Sequence, residues 1–310
     1  MQSPPLIIGT RGSPLALYQA HLVQRLICET SGWTKEEVTI KILKTSGDTI
    51  KGELKDFGGK GLFTRELELA LLDRSIDLAV HSMKDVPTVG HKDLVVSAIL
   101  PRADVRDAFI SVKHKSISDL PQGALIGSAS LRRRAQLSTL RPDLKFCLLR
   151  GNVGTRLQKL EAGVCDATML ACAGLRRLEQ DDRITEAVET DVMLPAPAQG
   201  AIGIEIRHGR EDLKAVIAPL NDRAAELEIT AERAFLQALD GNCRTPIAAL
   251  ARVEGETLSL RGEILAKDGS LRLADKASAH VTTPIEAYDL GFRMGEAVRA
   301  EVGGRITFDD

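Results

Sequence analysis

The sequence alternates short apolar segments with polar loops and amphipathic segments of helical period, and this alternation constrains the fold more than any other feature. PLIIGT near its start predicts a buried strand, and Pro14 suits the first turn of the helix that follows. The alternation begins again near residue 104 and continues to the strand DATMLA at 166–171. Because alternating strands and helices form parallel sheets covered by helices, the sequence predicts two α/β domains.

The segment LPAPAQG at 194–200 interrupts the alternation with two prolines and a glycine, and the strand AIGIEIR at 201–207 follows it. We expect this strand to return to the first domain, because the breaks near residues 100 and 197 resemble paired crossings between two lobes. Two such crossings would form a hinge, with a ligand cleft between the lobes.

A smaller α+β unit is predicted at the end of the chain, from a helix at 222–239, three strands and a helix at 286–300. The predicted fold class is therefore α/β, with two periplasmic-binding-protein-like α/β domains joined by a double-crossover hinge, plus a small C-terminal α+β domain. The expected limits of the three domains are 1–100 with 200–218, then 104–195, and then 222–310.

The composition argues against two classes of partner. A formal net charge of −2 and an aromatic content of 3% do not suit a nucleic-acid surface, which needs basic residues for phosphates and aromatic faces for bases. No apolar stretch is long enough to span a bilayer. We expect no secretory signal, because MQSPPLIIGTRGSP lacks a basic segment followed by a long apolar run. The five cysteines include no C-x-x-C pair, so we expect neither a disulfide framework nor a zinc knuckle, and a reduced cytoplasm fits best.

Arginines recur in loops that follow predicted strands, which is where ligands bind in open α/β sheets. Each arginine taken singly is better explained as a solvated surface residue, but their repeated position favours a shared anion site. Serines at the predicted helix starts are explained equally well as helix N-caps or as part of that site. The residues concerned are Arg11, Arg132, Arg133, Arg150, Arg156 and Arg177, with Ser13, Ser128 and Ser130.

The motifs that the sequence lacks narrow the chemistry of the anion. There is no G-x-x-x-x-G-K-[ST] motif and no G-x-G-x-x-G motif after a strand, so nucleotide phosphates are not indicated. Guanidinium groups match carboxylates as well as phosphates. A set of arginines this large therefore favours a ligand that carries several carboxylates.

Two residues stand out as candidates for chemistry, and each has a structural alternative. Asp85 in HSMKDVP is either a catalytic carboxylate or the ion-pair partner of Lys84 or a nearby arginine. Cys243 in LDGNCRTPI is either a thiolate activated by Arg244 or an exposed loop thiol. The other four cysteines lie in apolar surroundings and are expected in the core.

Two further features are less decisive. His81 has no second histidine or cysteine at ligand spacing, so a structural role is favoured and no metal is expected. The loop GGKGLF at 58–63 is either a surface loop tip or a lid that brings Lys60 and Phe63 to a ligand, and the sequence does not separate these roles.

Eight segments resemble, in the same order, the motifs of the porphobilinogen deaminase (hydroxymethylbilane synthase) family. They are TRGSPLAL, GGKGLFT, HSMKDVPT, GSASLRRRAQL, RGNVGTRL, AGLRRL, LPAPAQGAIGIE and LDGNCRTPI. The resemblance implies a transferase of tetrapyrrole biosynthesis that joins four porphobilinogen units head to tail with loss of ammonia and releases hydroxymethylbilane. Each pyrrole carries an acetate and a propionate, which accounts for the arginines.

By this resemblance, Cys243 holds a dipyrromethane cofactor through a thioether, and Asp85 stabilises the azafulvenium cation formed as ammonia leaves. Arg132 and Arg133 would bind carboxylates of the pyrrole chain, whereas Arg134 would face elsewhere. The other cofactor- or substrate-binding residues implied are Arg11, Ser13, Lys60, Phe63, Ser82, Lys84, Ser128, Ser130, Arg150, Arg156, Arg177 and Gln199.

One departure from the family is visible, because Asp56 stands where many relatives have a lysine and Lys55 lies one position earlier. We expect a monomer that takes porphobilinogen as its small-molecule partner and contacts neither nucleic acid nor membrane. Two other functions stay open. A carboxylate-binding receptor would share the two-lobed fold but would not need Cys243 or a third domain, and a nucleic-acid binder would use the arginines without aromatic residues to assist them.

Overall fold

The computed structural model describes residues 5–45, 64–241 and 245–306. The chain divides into two compact units, Met1–Arg102 with Ala201–Glu226 and Ala103–Gly200 with Leu227–Asp310. It therefore passes from one unit to the other three times, after residues 102, 200 and 226.

Thirteen strands are formed by the described residues, and they make up three sheets. In chain order they are β1 (Leu6–Arg11), β2 (Val38–Leu43), β3 (Leu78–Ser82), β4 (Leu94–Ile99), β5 (Asp107–Ser111), β6 (Leu125–Gly127), β7 (Lys145–Cys147), β8 (Ala167–Ala171), β9 (Glu186–Val188), β10 (Ile202–Arg207), β11 (Ile247–Glu254), β12 (Thr257–Leu265) and β13 (Arg272–His280).

Eight α-helices lie in the same described ranges. Two of them begin where the sequence places a serine N-cap: Ser13 Oγ accepts a hydrogen bond from Ala16 N at 3.3 Å, and Ser130 Oγ accepts one from Arg133 N at 3.4 Å. In chain order the helices are α1 (Pro14–Ser31), α2 (Arg65–Leu72), α3 (Leu131–Leu140), α4 (Val153–Glu161), α5 (Cys172–Arg177), α6 (Glu211–Ile217), α7 (Arg223–Ala238) and α8 (Pro284–Val302).

The first unit is built on a five-stranded sheet of order β2-β1-β3-β10-β4. The predicted return of residues 201–207 to this sheet is confirmed, because β10 pairs with both β3 and β4. The expectation of a parallel sheet is wrong for β10, which runs antiparallel to both neighbours. Ile202 at its start lies opposite Ser82, the last residue of β3, so the chain re-enters at the carboxyl edge and can only run back along β3.

Helices cover both faces of this first sheet. Apolar residues of α1 and α6 pack with Ile8 and Ile204 on one face, and those of α2 pack with Ala79 on the other. Ile8 and Ala79 come from neighbouring strands, and their side chains alternate between the faces as the strand period requires. Helices therefore cover both faces of the sheet, and Arg11 and Ser82 lie at the carboxyl ends of β1 and β3.

The second unit contains a five-stranded sheet of order β7-β6-β8-β5-β9. Strand β6 is parallel to β7 and β8, as predicted. Strand β5 is antiparallel to β8 and β9, so the prediction of a parallel sheet is wrong for this part of the second sheet. Asp107, the first residue of β5, pairs with Ala171, the last residue of β8. Asp107 therefore lies at the carboxyl edge of the three parallel strands.

The predicted small α+β part is confirmed at the C-terminus, where β11, β12 and β13 form an antiparallel sheet and α7 and α8 bury apolar residues against it. The two helices lie in direct contact through glycine. A Cβ added at Gly291 would collide with the Ala231 carbonyl, and one at Gly295 would lie 2.6 Å from Ala238 Cβ. Leu250 of β11 packs with Leu194 within the same unit.

Candidate active site

Asp85 ends a short 3₁₀ turn, Met83–Asp85, that directly follows β3. Its side chain is exposed, and its carboxylate makes no hydrogen bond or ion pair with any residue that the structure describes. The ion pair that we considered as the alternative to catalysis is therefore not formed within the described ranges. An exposed carboxylate at a strand end is available to a ligand.

The residues before Asp85 are held firmly in place. Met83 is buried, and its N–H donates to the Ala201 carbonyl of the segment that enters β10, at 3.1 Å. The Ser82 hydroxyl lies 2.8 Å from Nε2 of Gln19, a buried residue of α1. Ser82 was predicted to bind the ligand, and the structure adds Gln19 as the residue that orients it.

Further predicted site residues lie at the same edge of the first sheet. Arg11 is the last residue of β1, which runs parallel to β3 as its neighbour, and its side chain is half-buried. Ser13 lies two residues later, and its hydroxyl caps α1. Lys84 lies half-buried in the turn beside Asp85. The structure thus brings Arg11, Ser82 and Asp85 to the carboxyl ends of two adjacent strands.

In the second unit, Arg132 and Arg133 are buried and bind a common carboxylate. Arg132 Nη1 donates to Asp107 Oδ2 at 2.8 Å, while Arg133 Nη2 and Nε donate to Asp107 Oδ1 at 2.7 and 3.1 Å. Gln199 Nε2 donates to the same Oδ1 at 3.0 Å. Only 5% of Arg132 and 6% of Arg133 are exposed, so these are not the solvated surface arginines of the alternative interpretation.

The arginines dominate the electrostatics of this cluster. Burial by itself disfavours the charged form of Asp107, but the charges and hydrogen bonds of Arg132 and Arg133 outweigh it and hold the pKa of that carboxyl well below its usual range. One carboxylate thus balances two guanidinium groups. Arg134, the third member of the triplet, turns away and stacks over the Phe146 ring at 5.4 Å.

Sequence reasoning missed Asp107. It stands 25 residues before Arg132, and no local pattern joins the two. A signal was present, since an aspartate that opens a largely apolar strand has to be paired if the strand is buried. Gln199 was predicted as a binding residue, and the structure places its amide on Asp107 and on the Val105 carbonyl at 2.7 Å.

The remaining cationic candidates of the second unit are Arg150 and Arg156, around the start of α4, and Arg177, the last residue of α5. Arg150 follows β7, and its buried Nε has no hydrogen-bond partner among the described residues. Arg156 Nε donates to the Gly151 carbonyl at 2.7 Å, and Arg177 Nη2 donates to the Gly200 carbonyl at 2.6 Å. Gly151 has φ +121°, a conformation that L side chains rarely adopt. The segments that follow β7 and β8 therefore carry several hydrogen-bond donors.

Ser128 and Ser130 lie at the same edge, between β6 and α3. Ser128 is buried, and its Oγ accepts a hydrogen bond from Ser130 N at 3.2 Å. Ser130 Oγ caps α3. The N-cap interpretation of Ser130 is thus correct, and the backbone N–H groups at this helix start face the edge where ligands bind in α/β sheets.

Three of the predicted site residues, Lys60, Phe63 and Cys243, lie outside the described residues. By sequence, Cys243 falls in the connection between α7 and β11. Burial raises the pKa of the Cys165 and Cys172 thiols to about 11, as expected for core cysteines that take no part in chemistry. Within the described ranges, no group of three or more histidine, cysteine, aspartate or glutamate residues could hold a metal ion, and no helix is long and apolar enough to cross a membrane.

Two family models match the chain. The model described as porphobilinogen deaminase, dipyromethane cofactor binding domain, matches residues 6–215. The model described as porphobilinogen deaminase, C-terminal domain, matches residues 226–300. The second match begins at residue 226, which is also the residue after which the chain leaves the first unit for the last time.

Curated relatives match over almost the whole chain. Porphobilinogen deaminase of Paracoccus denitrificans is 51% identical over 306 residues, which cover 98% of this chain and 96% of that protein. Porphobilinogen deaminase of Nitrobacter hamburgensis is 49% identical over 295 residues, which cover 93% of each. Among solved structures, an arginine-specific periplasmic binding protein of Salmonella typhimurium is similar with a TM-score of 0.41 and 12% identity, over 72% of this chain and 94% of that one.

Proposed function

The chain belongs to the porphobilinogen deaminase family, and from that premise we propose that it joins four porphobilinogen molecules head to tail, losing ammonia each time, and releases hydroxymethylbilane. This is the reaction of a transferase in heme and tetrapyrrole biosynthesis. Residues 6–215 are the part of the chain that corresponds to the dipyrromethane cofactor binding domain. The carboxylate-binding receptor and the nucleic-acid binder are set aside.

The exposed Asp85 carboxylate is the observation that carries the assignment of the catalytic residue. Loss of ammonia breaks the carbon–nitrogen bond of the substrate's aminomethyl group and leaves a positive charge spread over the pyrrole ring. A carboxylate fixed beside the ring stabilises that charge as it develops. The same carboxylate accepts the pyrrole N–H and so orients the ring for attack. Asp85 supports both roles because no described residue occupies its carboxylate.

The arginines supply the complementary charge for the acetate and propionate groups. In the second unit, Arg132 and Arg133 present two buried guanidinium groups to one Asp107 carboxylate at the carboxyl edge. Arg150 adds a half-buried guanidinium at the same edge. The complete set of residues that we propose for binding is Arg11, Ser13, Lys60, Phe63, Ser82, Lys84, Ser128, Ser130, Arg132, Arg133, Arg150, Arg156, Arg177 and Gln199.

The donors of this site fit a dipyrromethane, which carries four carboxylates. Buried Nε atoms of Arg132 and Arg150 lack a partner within the described part of the chain, and a buried guanidinium donor is costly unless it meets an acceptor. When bound, the dipyrromethane supplies the pyrrole carbon to which the first substrate is joined. Cys243 is the proposed point of attachment, because a thioether keeps the growing chain in place through successive condensations.

Intact mass spectrometry of the purified protein tests the attachment. We expect a mass above that of the sequence by one dipyrromethane unit, which survives reducing agent because a thioether is not a disulfide. Cys243→Ser should lose both this mass and ammonia release, whereas Cys172→Ala should keep both, since Cys172 is a buried core thiol. An active protein of unmodified mass, or an adduct on another cysteine, would refute the proposal.

We also propose that the protein is a cytoplasmic monomer with three domains, at 1–100 with 200–218, 104–195 and 222–310. Cys165 and Cys172 are free thiols, as are the other two cysteines that the structure describes, which suits a reducing compartment. Each of the three sheets is covered by helices of the same chain. Light scattering on the purified protein tests the oligomeric state, and a dimer mass would contradict it.

A further inference from the structure

Strands β3 and β10 share a buried pair of polar side chains near the turn that carries Asp85. His81 Nε2 lies 3.0 Å from Glu205 Oε2, and only 3% and 5% of the two side chains are exposed. Gly203 lies directly opposite His81, and Glu205 follows two residues later on the same face of the sheet. A buried carboxylate is costly unless it is paired, so this contact stabilises one arrangement of the two strands.

Strand β10 also holds the residues between His81 and Asp85. A Cβ on Gly203 would collide with Met83 Sδ, so the Met83 side chain covers this glycine. The Met83 N–H donates to the Ala201 carbonyl. The antiparallel ladder ends where Ser82 pairs with Ile202, and the turn begins there. The carboxylate of Asp85 lies just beyond these contacts and has none of its own among the described residues.

We propose that His81 and Glu205 form a positioning pair that sets where the Asp85 carboxylate lies. The inference rests on the proposed function, in which Asp85 must meet the pyrrole ring closely. The hydrogen bond between Nε2 of His81 and Oε2 of Glu205 fixes the imidazole against β10. Neither side chain contacts the reacting atoms in this role. Both act through the last residues of β3 and the turn.

Substitution of Glu205 separates positioning from general stability. Glu205→Leu removes the acceptor, and we expect kcat for ammonia release to fall by about 100-fold, the effect of a displacement near 1 Å, while KM changes little. Glu205→Gln keeps an acceptor oxygen and should restore most of kcat. The aspartate of Glu205→Asp is too short to keep the 3.0 Å contact, so its kcat should lie between those of the other two variants. This variant replaces Glu205→Leu in the test if Glu205→Leu does not fold.

Asp77→Asn is the matched control, because Asp77 lies just before β3, at its opposite end. Its carboxylate accepts from Ile7 N at 2.9 Å and from Arg210 Nη1 at 3.1 Å. Loss of this anchor should lower the melting temperature and leave kcat unchanged. An equal loss of kcat in Asp77→Asn would show that any weakening of β3 has the same effect, and the positioning role would be wrong.

A double-mutant cycle with Asp85→Asn decides whether the pair acts through Asp85. In the Asp85→Asn background, Glu205→Leu should slow the remaining ammonia release by less than about 2-fold, since coupled residues are not additive. Multiplicative losses would overturn the inference. The two proposals fail differently: normal turnover by Asp85→Asn contradicts the proposed function, whereas normal turnover by folded Glu205→Leu, with Asp85→Asn slow, contradicts only the positioning role.

Discussion

Asp107→Asn should destabilise the second unit by about 3–5 kcal/mol, because it leaves two buried guanidinium groups without the carboxylate that they share. The carboxylate accepts four hydrogen bonds, from Arg132, Arg133 and Gln199, at 2.7–3.1 Å. Each hydrogen bond to a charged group contributes about 1.5–3 kcal/mol. An asparagine keeps one acceptor oxygen, but its amide N–H₂ must then face a guanidinium. The expected loss of unfolding free energy is therefore smaller than the summed contributions of the four hydrogen bonds and close to the cost of breaking a buried ion pair.

Amide hydrogen exchange measures this loss where it occurs. The free energy of opening for peptides of α3 should fall in Asp107→Asn, together with the urea midpoint of the second unit. Asp143→Asn is the matched control, because Asp143 binds Arg141 in the same unit with both oxygens at 2.8 Å but lies near the surface. Asp143→Asn should lower the free energy of unfolding far less than Asp107→Asn does, since ion pairs near the surface contribute little. If Asp107→Asn lost no more than Asp143→Asn, the buried cluster would not stabilise the unit.

Three further predictions address pH, catalysis and binding. The pKa of Asp107 is lower in the folded protein than its unfolded value near 3.9. The stability that this group supplies should therefore be complete above about pH 5 and decline as the pH falls through and below the unfolded value. Acid titration of the unfolding free energy checks this, and a flat profile in the wild type would contradict it. Asp85→Asn should keep the bound dipyrromethane mass yet slow ammonia release by about 10²–10³-fold, since an amide cannot offset a developing cation, and normal release would make Asp85 non-catalytic. Arg150→Leu should raise KM for porphobilinogen or weaken retention of the pyrrole chain by about 10- to 100-fold, whereas Arg183→Leu, which only breaks an ion pair with Glu161, should match the wild type in the same assays.

Local sequence patterns were sufficient for the elements whose signals are local. Strands β1 and β8, at the two ends of the α/β alternation, appear where their residues predict them. So do the serine caps of α1 and α3 and the helices near 222–239 and 286–300. The return of β10 was also predictable, because the prolines of LPAPAQG mark a crossing. Strand β4 was not predicted, although its residues LVVSAI are apolar except for Ser97.

What the sequence could not show was the pairing of residues far apart in the chain. Asp107 and Arg132 are separated by 25 residues, and His81 and Glu205 by 124. The local sequence does not identify the partner of any of these residues, and only the sheet order brings the partners together. The antiparallel direction of β5 and β10 has the same origin, because it depends on which edge the chain enters after a crossing. The arginines could be recognised as an anion site, but the pairing of Arg132 and Arg133 with Asp107 could not.

The place of β10 inside the first sheet, between β3 and β4, imposes an order on folding during synthesis. Strands β3 and β4 flank β10 and do not pair with each other, so their facing edges stay unpaired until residue 207 has left the ribosome. At about 5–20 residues per second, the roughly 100 residues between β4 and β10 take about 5–20 s to add. The sheet formed by residues 107–188 is contiguous and can close in that interval. The second sheet should therefore form first on the nascent chain, while the half-built first sheet carries exposed strand edges open to wrong partners.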